Sequence, residues 1–243
     1  MMRDEAFIAY HSPSFCGLAL CAHAVAENVP CQCPDCDKRT RLSVTSYREE
    51  HAQKNAGMQS QNTPRYVERT FERFIIDTDN SAAYDAAKAV VDDPSRGLGL
   101  YGSFGVGKSH LGAAIANGCK ARGIGAIYIG VEELLANIRA TYDAKGGNTE
   151  HAMIRSCATI PVLVLDDLGK EALTDWTVRT LFSLVNRRYE QSLPLVVTTN
   201  HAPTALWARK VGKDAEALTY ASTMDRVGEM TKTWVEISGR SRR

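Results

Sequence analysis

Residues 102–109 read Gly-Ser-Phe-Gly-Val-Gly-Lys-Ser, the spacing G-x-x-x-x-G-K-S, and no other stretch of the chain restricts its fold so strongly. Such a loop needs a buried strand before it and a helix after it. GLGLY at 97–101 supplies a short apolar strand, and SHLGAAIANGCKAR at 109–122 an alanine-rich helix. The glycines let consecutive backbone N–H groups turn toward a phosphate chain without Cβ obstruction, and the helix start adds its positive dipole end. The pattern predicts that Gly102, Ser103, Phe104, Gly105, Val106, Gly107, Lys108, Ser109 and His110 form a nucleotide cradle. Lys108 would reach the β- and γ-phosphates, and the Ser109 hydroxyl would hold Mg²⁺.

Alternating helix and strand signals surround this loop. Asn80-Ser81 reads as the cap of a helix running to about Asp92. IGAIYI at 124–129 reads as a second strand, with helical patterns at 131–144 and near 149–157. PVLVLD at 161–166 is an unbroken apolar run, as expected of a strand buried on both faces. A helix at 173–190, a fourth strand LPLVVT at 193–198, two short helices and a closing strand TWVEI at 233–237 follow. This order implies an α/β fold, a parallel sheet flanked by helices, with the nucleotide at the carboxyl ends of the strands.

Two acids, Asp166 and Asp167, end the third strand. A nucleotide-hydrolysing site needs one carboxylate to orient Mg²⁺, assigned to Asp166, and another to orient the attacking water, assigned to Asp167. Thr198, Thr199 and Asn200 end the fourth strand, where a polar side chain can contact the γ-phosphate or that water. Arg226 sits on a late helix and by itself says nothing.

Composition bounds the remaining possibilities. With 29 basic against 28 acidic residues in 243, no overall charge attracts nucleic acid, so any such contact must come from a local patch. No apolar run approaches the ~18 residues of a membrane span. The first residues, MMRDEAFIAYHSPS, are acidic where a secretion signal is basic, which points to a cytoplasmic protein with no membrane partner. Five of the seven cysteines fall at 16, 21, 31, 33 and 36, and residues 41–64 are polar and linker-like. The expected division is a Cys-rich segment and linker at 1–64, then the nucleotide-binding domain at 65–243. Cys33-Pro-Asp-Cys36 has the C-x-x-C spacing that lets two thiolates share one Zn²⁺, and Cys16, Cys21, Cys31 and His23 are the candidates to complete four ligands. Cys21 and Cys31 are the preferred pair. Cys119 and Cys157 read as small buried side chains of the core.

Taken in order, YGSFGVGKSHL, VLVLDDLGKE, PLVVTTN and MDRV resemble the helicase-loader branch of the AAA+ ATPases, the DnaC/DnaI-like proteins and their relatives of the IstB type. PRYVERTFERF at 64–74 is similar to the lead-in that such loaders carry before the ATPase core. The resemblance implies an AAA+ core without a C-terminal lid, ATP and Mg²⁺ as cofactors, and slow, switch-like ATP hydrolysis. It implies that Asn200 senses the γ-phosphate and that Arg226 completes the site of a neighbouring subunit in an ATP-state homo-oligomer. It also implies a replicative DNA helicase as partner, docked through the Cys-rich segment, and contact with single-stranded DNA. Tyr142, beside Arg139 and Lys145, and Trp176, beside Arg179, fall where loaders carry DNA-contacting aromatics. The alternatives are a transposition ATPase of the IstB type on duplex DNA, and an adaptor that binds ATP but scarcely hydrolyses it. Asp167 departs from the glutamate that most AAA+ members carry second in the acidic pair. Its carboxylate is drawn back by roughly 1.5 Å, which positions water less well.

Overall fold

The computed structural model describes residues 64–141, 150–209 and 214–241. The cysteines at 16–36 proposed as zinc ligands and Tyr142 lie outside the described residues, as does most of the linker.

Five strands form one sheet: β1 (Leu98–Tyr101), β2 (Ala126–Gly130), β3 (Val162–Asp166), β4 (Leu195–Thr199) and β5 (Trp234–Glu236). They pair in the order β2-β3-β4-β1-β5, and every pairing is parallel. All five residues of β3 are buried, as its unbroken apolar run predicted, and all five of β4 are buried as well. Successive side chains of a strand point to opposite faces, and here that alternation sorts them into two cores. Ile127, Ile129, Leu163, Leu165, Leu195 and Val197 face one, and Ala126, Tyr128, Val162, Val164 and Val196 the other. Each fully buried Leu or Ile contributes about 1.5–3 kcal/mol, so both faces must be covered.

Helices provide the cover. On the face of Val162 and Val164 lie α2 (Ser81–Asp92) and α3 (Lys108–Ala121), with the short α1 (Pro64–Val67) beside them. Ala113, Ala114 and Ala116 leave α3 room to approach the strands closely. On the opposite face lie α4 (Val131–Ala140), α5 (Glu150–Thr159), α6 (Asp175–Glu190), the five-residue α7 (Pro203–Trp207) and α8 (Asp214–Thr231).

Three expectations are corrected. The second of the "two short helices" is the 18-residue α8, whose Tyr220, Met224, Val227 and Met230 form a buried stripe at helical spacing. The helix expected to run to 144 stops at Ala140. Asn80 stands at the N-cap of α2 but makes no side-chain cap bond. It is buried, accepts from the Asp77 N–H at 2.9 Å and donates to the Ile75 carbonyl at 3.0 Å, so it holds the preceding turn instead. A side-chain cap is made elsewhere by Thr174, whose hydroxyl accepts from the Thr177 N–H at 3.2 Å and starts α6.

At the end of the sheet away from the glycine loop, Arg188 is wholly buried. Its guanidinium donates to the carbonyls of Cys157 and Ile160 at 2.8 Å each, Pro161 at 3.2 Å and Pro194 at 2.5 Å. One cation thereby ties the end of α5 to the starts of β3 and β4. Burial pushes its pKa below the ordinary arginine range, whereas four carbonyl dipoles favour the charged form. Replacing Arg188 by Ala strands these carbonyls. The variant is expected to lose more than about 3 kcal/mol of stability, read from the urea midpoint, with Lys restoring only part. A wild-type midpoint for Arg188→Ala would show that the carbonyls find other partners.

Candidate functional site

Parallel pairing brings the carboxyl ends of β1, β3 and β4 to one edge, and the glycine loop leaves β1 there. Gly102, Gly105 and Gly107 have φ of 142°, 80° and 112°, a backbone that side chains strain. Gly107 is the N-cap of α3, so the first turn of the helix opens directly onto the loop. Lys108 is only 4% exposed, and its Nζ donates to the carbonyls of Gly102 at 2.9 Å and Ser103 at 2.6 Å. Its ammonium therefore lies along the inner rim of the cradle. Val106 is buried beneath it and anchors the loop, while Phe104 projects outward with the Lys170 ammonium 5.6 Å from its ring centre.

Asp166 is held from both neighbouring strands. The Tyr128 hydroxyl of β2 donates to one carboxylate oxygen at 2.5 Å, and the Thr198 hydroxyl of β4 donates to the other. Burial and the adjacent Asp166 push the Tyr128 phenol far above its ordinary pKa, so it stays a donor. Thr198 also accepts from the Asp167 N–H at 3.0 Å. One hydroxyl thus fixes both members of the acidic pair. Asp167 takes a left-handed backbone, φ 59°, and its carboxylate pairs with Lys170 at 2.5 Å.

Thr198 and Thr199 are wholly buried, and Thr199 accepts from the His201 N–H at 3.2 Å. Of the three polar residues ending β4, Asn200 is the one that lines the cleft.

The cleft measures about 520 Å³, within the ~300–1,000 Å³ usual for small-molecule sites. Gly105, Gly107, Lys108, Ser109 and His110 line one side, and Asp167, Lys170 and Asn200 another. The remaining wall is the lead-in, through Arg69, Arg73, Phe74 and Ile75, which the sequence reading did not assign to the site. Its signal was the alternation of aromatic and basic residues in PRYVERTFERF. The lead-in is pinned to α3: His110 Nε2 donates to the Thr70 carbonyl at 2.8 Å, and Asn117 Nδ2 donates to the carbonyls of Tyr66 and Arg69 at 3.0 Å each. Burial lowers the His110 pKa, which keeps the imidazole neutral with its proton on Nε2. His110 is thus a strut for the cleft wall as well as part of its lining.

The residues present fit a magnesium nucleotide. Mg²⁺ is commonly held by one or two carboxylates plus the phosphates themselves. Asp166 keeps a free lone pair on each oxygen beyond its two hydroxyl bonds, and Ser109 opens α3 beside Lys108. Among the described residues no cluster of three or more His, Cys, Asp or Glu forms a cage for a metal by protein ligands alone.

Arg226 lies apart from this cleft. It sits on α8 and packs against α6, its guanidinium 5.3 Å from the Phe182 ring centre and 5.4 Å from that of Tyr189. It donates to the Ser222 carbonyl at 3.0 Å and to the Ser222 hydroxyl, while its Nε is buried without a partner. Trp176 is half-buried against the core, and the Arg139 guanidinium covers its ring at 4.4 Å. Arg179, read as its cationic neighbour, pairs with Asp175 at 2.5 Å instead. Cys119 and Cys157 are buried, as expected, and burial raises their thiols to about 11 and about 12.

A glycine loop leaving β1, an acidic pair at the end of β3 and the strand order β2-β3-β4-β1-β5 define a P-loop ATPase core of the AAA+ type. The chain belongs to the IstB-like ATP-binding proteins, whose family model matches residues 49–243. Among curated relatives it is similar to the chromosomal replication initiator protein DnaA of Nautilia profundicola, 32% identical over 143 residues, covering 58% of this chain and 32% of that protein. It is likewise similar to the replicative helicase loader DnaI of Bacillus subtilis, 32% identical over 112 residues, covering 46% of this chain and 35% of that protein. The chain spans about a third of the length of the curated relatives it matches. A crystal structure of DnaI superposes with a TM-score of 0.63 at 28% identity, over 79% of this chain and 100% of that one.

The three roles expected of Lys108, Asp166 and Asp167 can be tested apart. Lys108→Ala removes the mobile cation and is expected to abolish binding of a fluorescent ATP analogue; near wild-type affinity would refute the cradle assignment. Asp166→Asn is expected to weaken Mg²⁺-dependent binding, whereas Asp167→Asn should spare binding and slow turnover. Equal losses of binding in the two variants would show that the carboxylates do not divide the work.

Proposed function

We propose that this chain is an ATP-dependent loader that places a replicative DNA helicase on single-stranded DNA. The observation carrying the reading is the meeting of Lys108, Asp167 and Asn200 in one cleft, with Asp166 clamped beside it. The likeness to DnaI over 79% of the chain supports the choice of partner.

In this reading the loop N–H groups and Lys108 bind the phosphate chain, with the ammonium exchanging loop carbonyls for phosphate oxygens. Ser109 and Asp166 hold Mg²⁺, which neutralises phosphate charge when bound. Asp167 orients water toward the γ-phosphorus and Asn200 senses the γ-phosphate. The short Asp167 side chain, already paired with Lys170, supports slow turnover suited to a switch. Among the described residues no helix is long and apolar enough to cross a membrane.

A second reading, an ATPase of transposition acting on duplex DNA, is favoured by the IstB-like match over residues 49–243. Capture of the host replicative helicase by the full chain, with and without ATP, together with binding to oligo-dT and to duplex, separates the two. The loader reading expects ATP-dependent capture and tighter oligo-dT binding, weakened by Trp176→Ala and Tyr142→Ala. Tighter duplex binding without helicase capture would favour transposition. The same capture tests the Cys-rich segment: Cys33→Ser with Cys36→Ser should lose both one equivalent of zinc and the helicase, yet keep ATP. Unchanged capture and zinc content would remove Cys33, Cys36, Cys21 and Cys31 from the proposal.

Arg226 is assigned to a neighbouring subunit's site. Mixing Arg226→Ala with Lys108→Ala chains is then expected to restore part of the ATPase activity, because each defect lies on a different side of a shared interface. No recovery at any ratio, with oligomers present, would count against the assignment.

A further inference from the structure

Arg69 belongs to no phosphate-binding motif, yet it lines the nucleotide cleft from the lead-in wall. Its Nη1 is buried and has no hydrogen-bond partner in the protein. A buried guanidinium N–H left unmatched carries its full desolvation penalty, and a folded protein keeps such a group only where something offsets it.

The rest of the residue is held in place. The Arg69 N–H donates to the Tyr66 carbonyl at 3.2 Å, and its own carbonyl accepts from Asn117 of α3 at 3.0 Å. The guanidinium lies 4.7 Å from the Tyr66 ring centre, a cation–π contact that aims it without consuming its donors. The Tyr66 ring in turn packs 5.0 Å from the ring of Tyr128, whose hydroxyl meets Asp166. Arg73, also on this wall, is different: its Nη1 pairs with Glu68 at 3.0 Å in an exposed ion pair.

We infer that Arg69 contacts the nucleotide in cis, donating to the phosphate chain of a nucleoside di- or triphosphate. The assignment rests on the nucleotide reading above and adds to it a second arginine or lysine besides Lys108. Chemistry selects phosphate over base. A guanidinium has five donors and no acceptor, phosphate oxygens only accept, and the pair matches in a two-pronged geometry. The edge of adenine instead sets its N6 amino donor beside the N7 acceptor. Position agrees, because Arg69 lines the same cleft as Lys108 and Ser109, and its Tyr66 partner packs against Tyr128, whose hydroxyl meets Asp166. With its backbone bonded and its side chain on Tyr66, the residue has little freedom left to lose on binding.

The test compares Kd for ATP, ADP and adenosine, by titration of the full chain at fixed Mg²⁺, in wild type, Arg69→Met and Arg69→Lys. Met keeps an apolar stem over Tyr66 and removes the charge; Lys keeps the charge without the fork. Thermal melts establish that each variant is folded. Arg69→Met is expected to weaken ATP and ADP about tenfold or more and leave adenosine unchanged, with Arg69→Lys in between. Unchanged ATP affinity would overturn the inference. So would an adenosine loss as large as the ATP loss, which would mark a base contact or a merely structural role. Failure of the wild type to bind ATP at all would overturn the nucleotide site itself, and that outcome is distinct from the other two.

Discussion

The register between β1 and β4 sets everything else at this edge. Leu100 stands opposite Thr198 and Tyr101 opposite Thr199, so the glycine loop begins level with Asn200. On the other side of β4, Leu165 is paired with Val197, which puts Asp166 level with the Thr198 hydroxyl. A slip by one residue would turn Thr198 to the other face and remove the donor that fixes both Asp166 and Asp167. Two apolar cores enforce the register, because the same slip would exchange the strand's side chains between the α3 layer and the α6–α8 layer.

The sheet was legible because its strands are short apolar runs between strong helix and turn signals. The glycine loop was legible because its backbone demands particular residues at particular spacings. The cleft's remaining wall was not. Arg69, Phe74 and Ile75 enter it through contacts across 40 to 51 residues of sequence, His110 to Thr70 and Asn117 to Tyr66, which no local pattern encodes. Arg188 illustrates the same limit. In RRYE at the end of a helix it reads as a solvated cation, and only the packing of α5, β3 and β4 around it brings four carbonyls within reach. The length of α8 was missed for another reason: its stripe is built of Tyr, Met and Val spread over 18 residues, with Ala, Thr and acids between them.

The electrostatics of the cleft are lopsided. Arg69, Arg73, Lys108 and Lys170 line it against one carboxylate, Asp167, while Asp166 lies buried beside it under two hydroxyls. Of these cations, Arg73 and Lys170 have carboxylate partners, and Lys108 is turned onto loop carbonyls. A polyanion entering the cleft would gain most from the groups whose present bonds are to neutral acceptors or to nothing. That ranking puts Arg69 ahead of Lys170, whose departure from Asp167 would leave that carboxylate near the phosphates without a counter-charge.

Arg226 poses the opposite problem, a cation already well accommodated within its own chain. Two aromatic faces and the Ser222 oxygens hold it, and its Nε is buried without a partner. To serve a neighbour's phosphates it must leave one or both rings, each worth about 0.5–1 kcal/mol at a partly exposed site, and open its bonds to Ser222. Tyr189 is tied to Glu229 of α8 at 2.8 Å, so its ring is held independently of the guanidinium. The cost of a few kcal/mol at most is smaller than a charge-assisted bidentate contact with phosphate returns, but larger than a contact with water returns. A trans role for Arg226 would therefore be conditional: the side chain would stay folded on α6 until an apposed subunit presented an anion, and the contact would then report on nucleotide in the neighbour rather than on proximity alone.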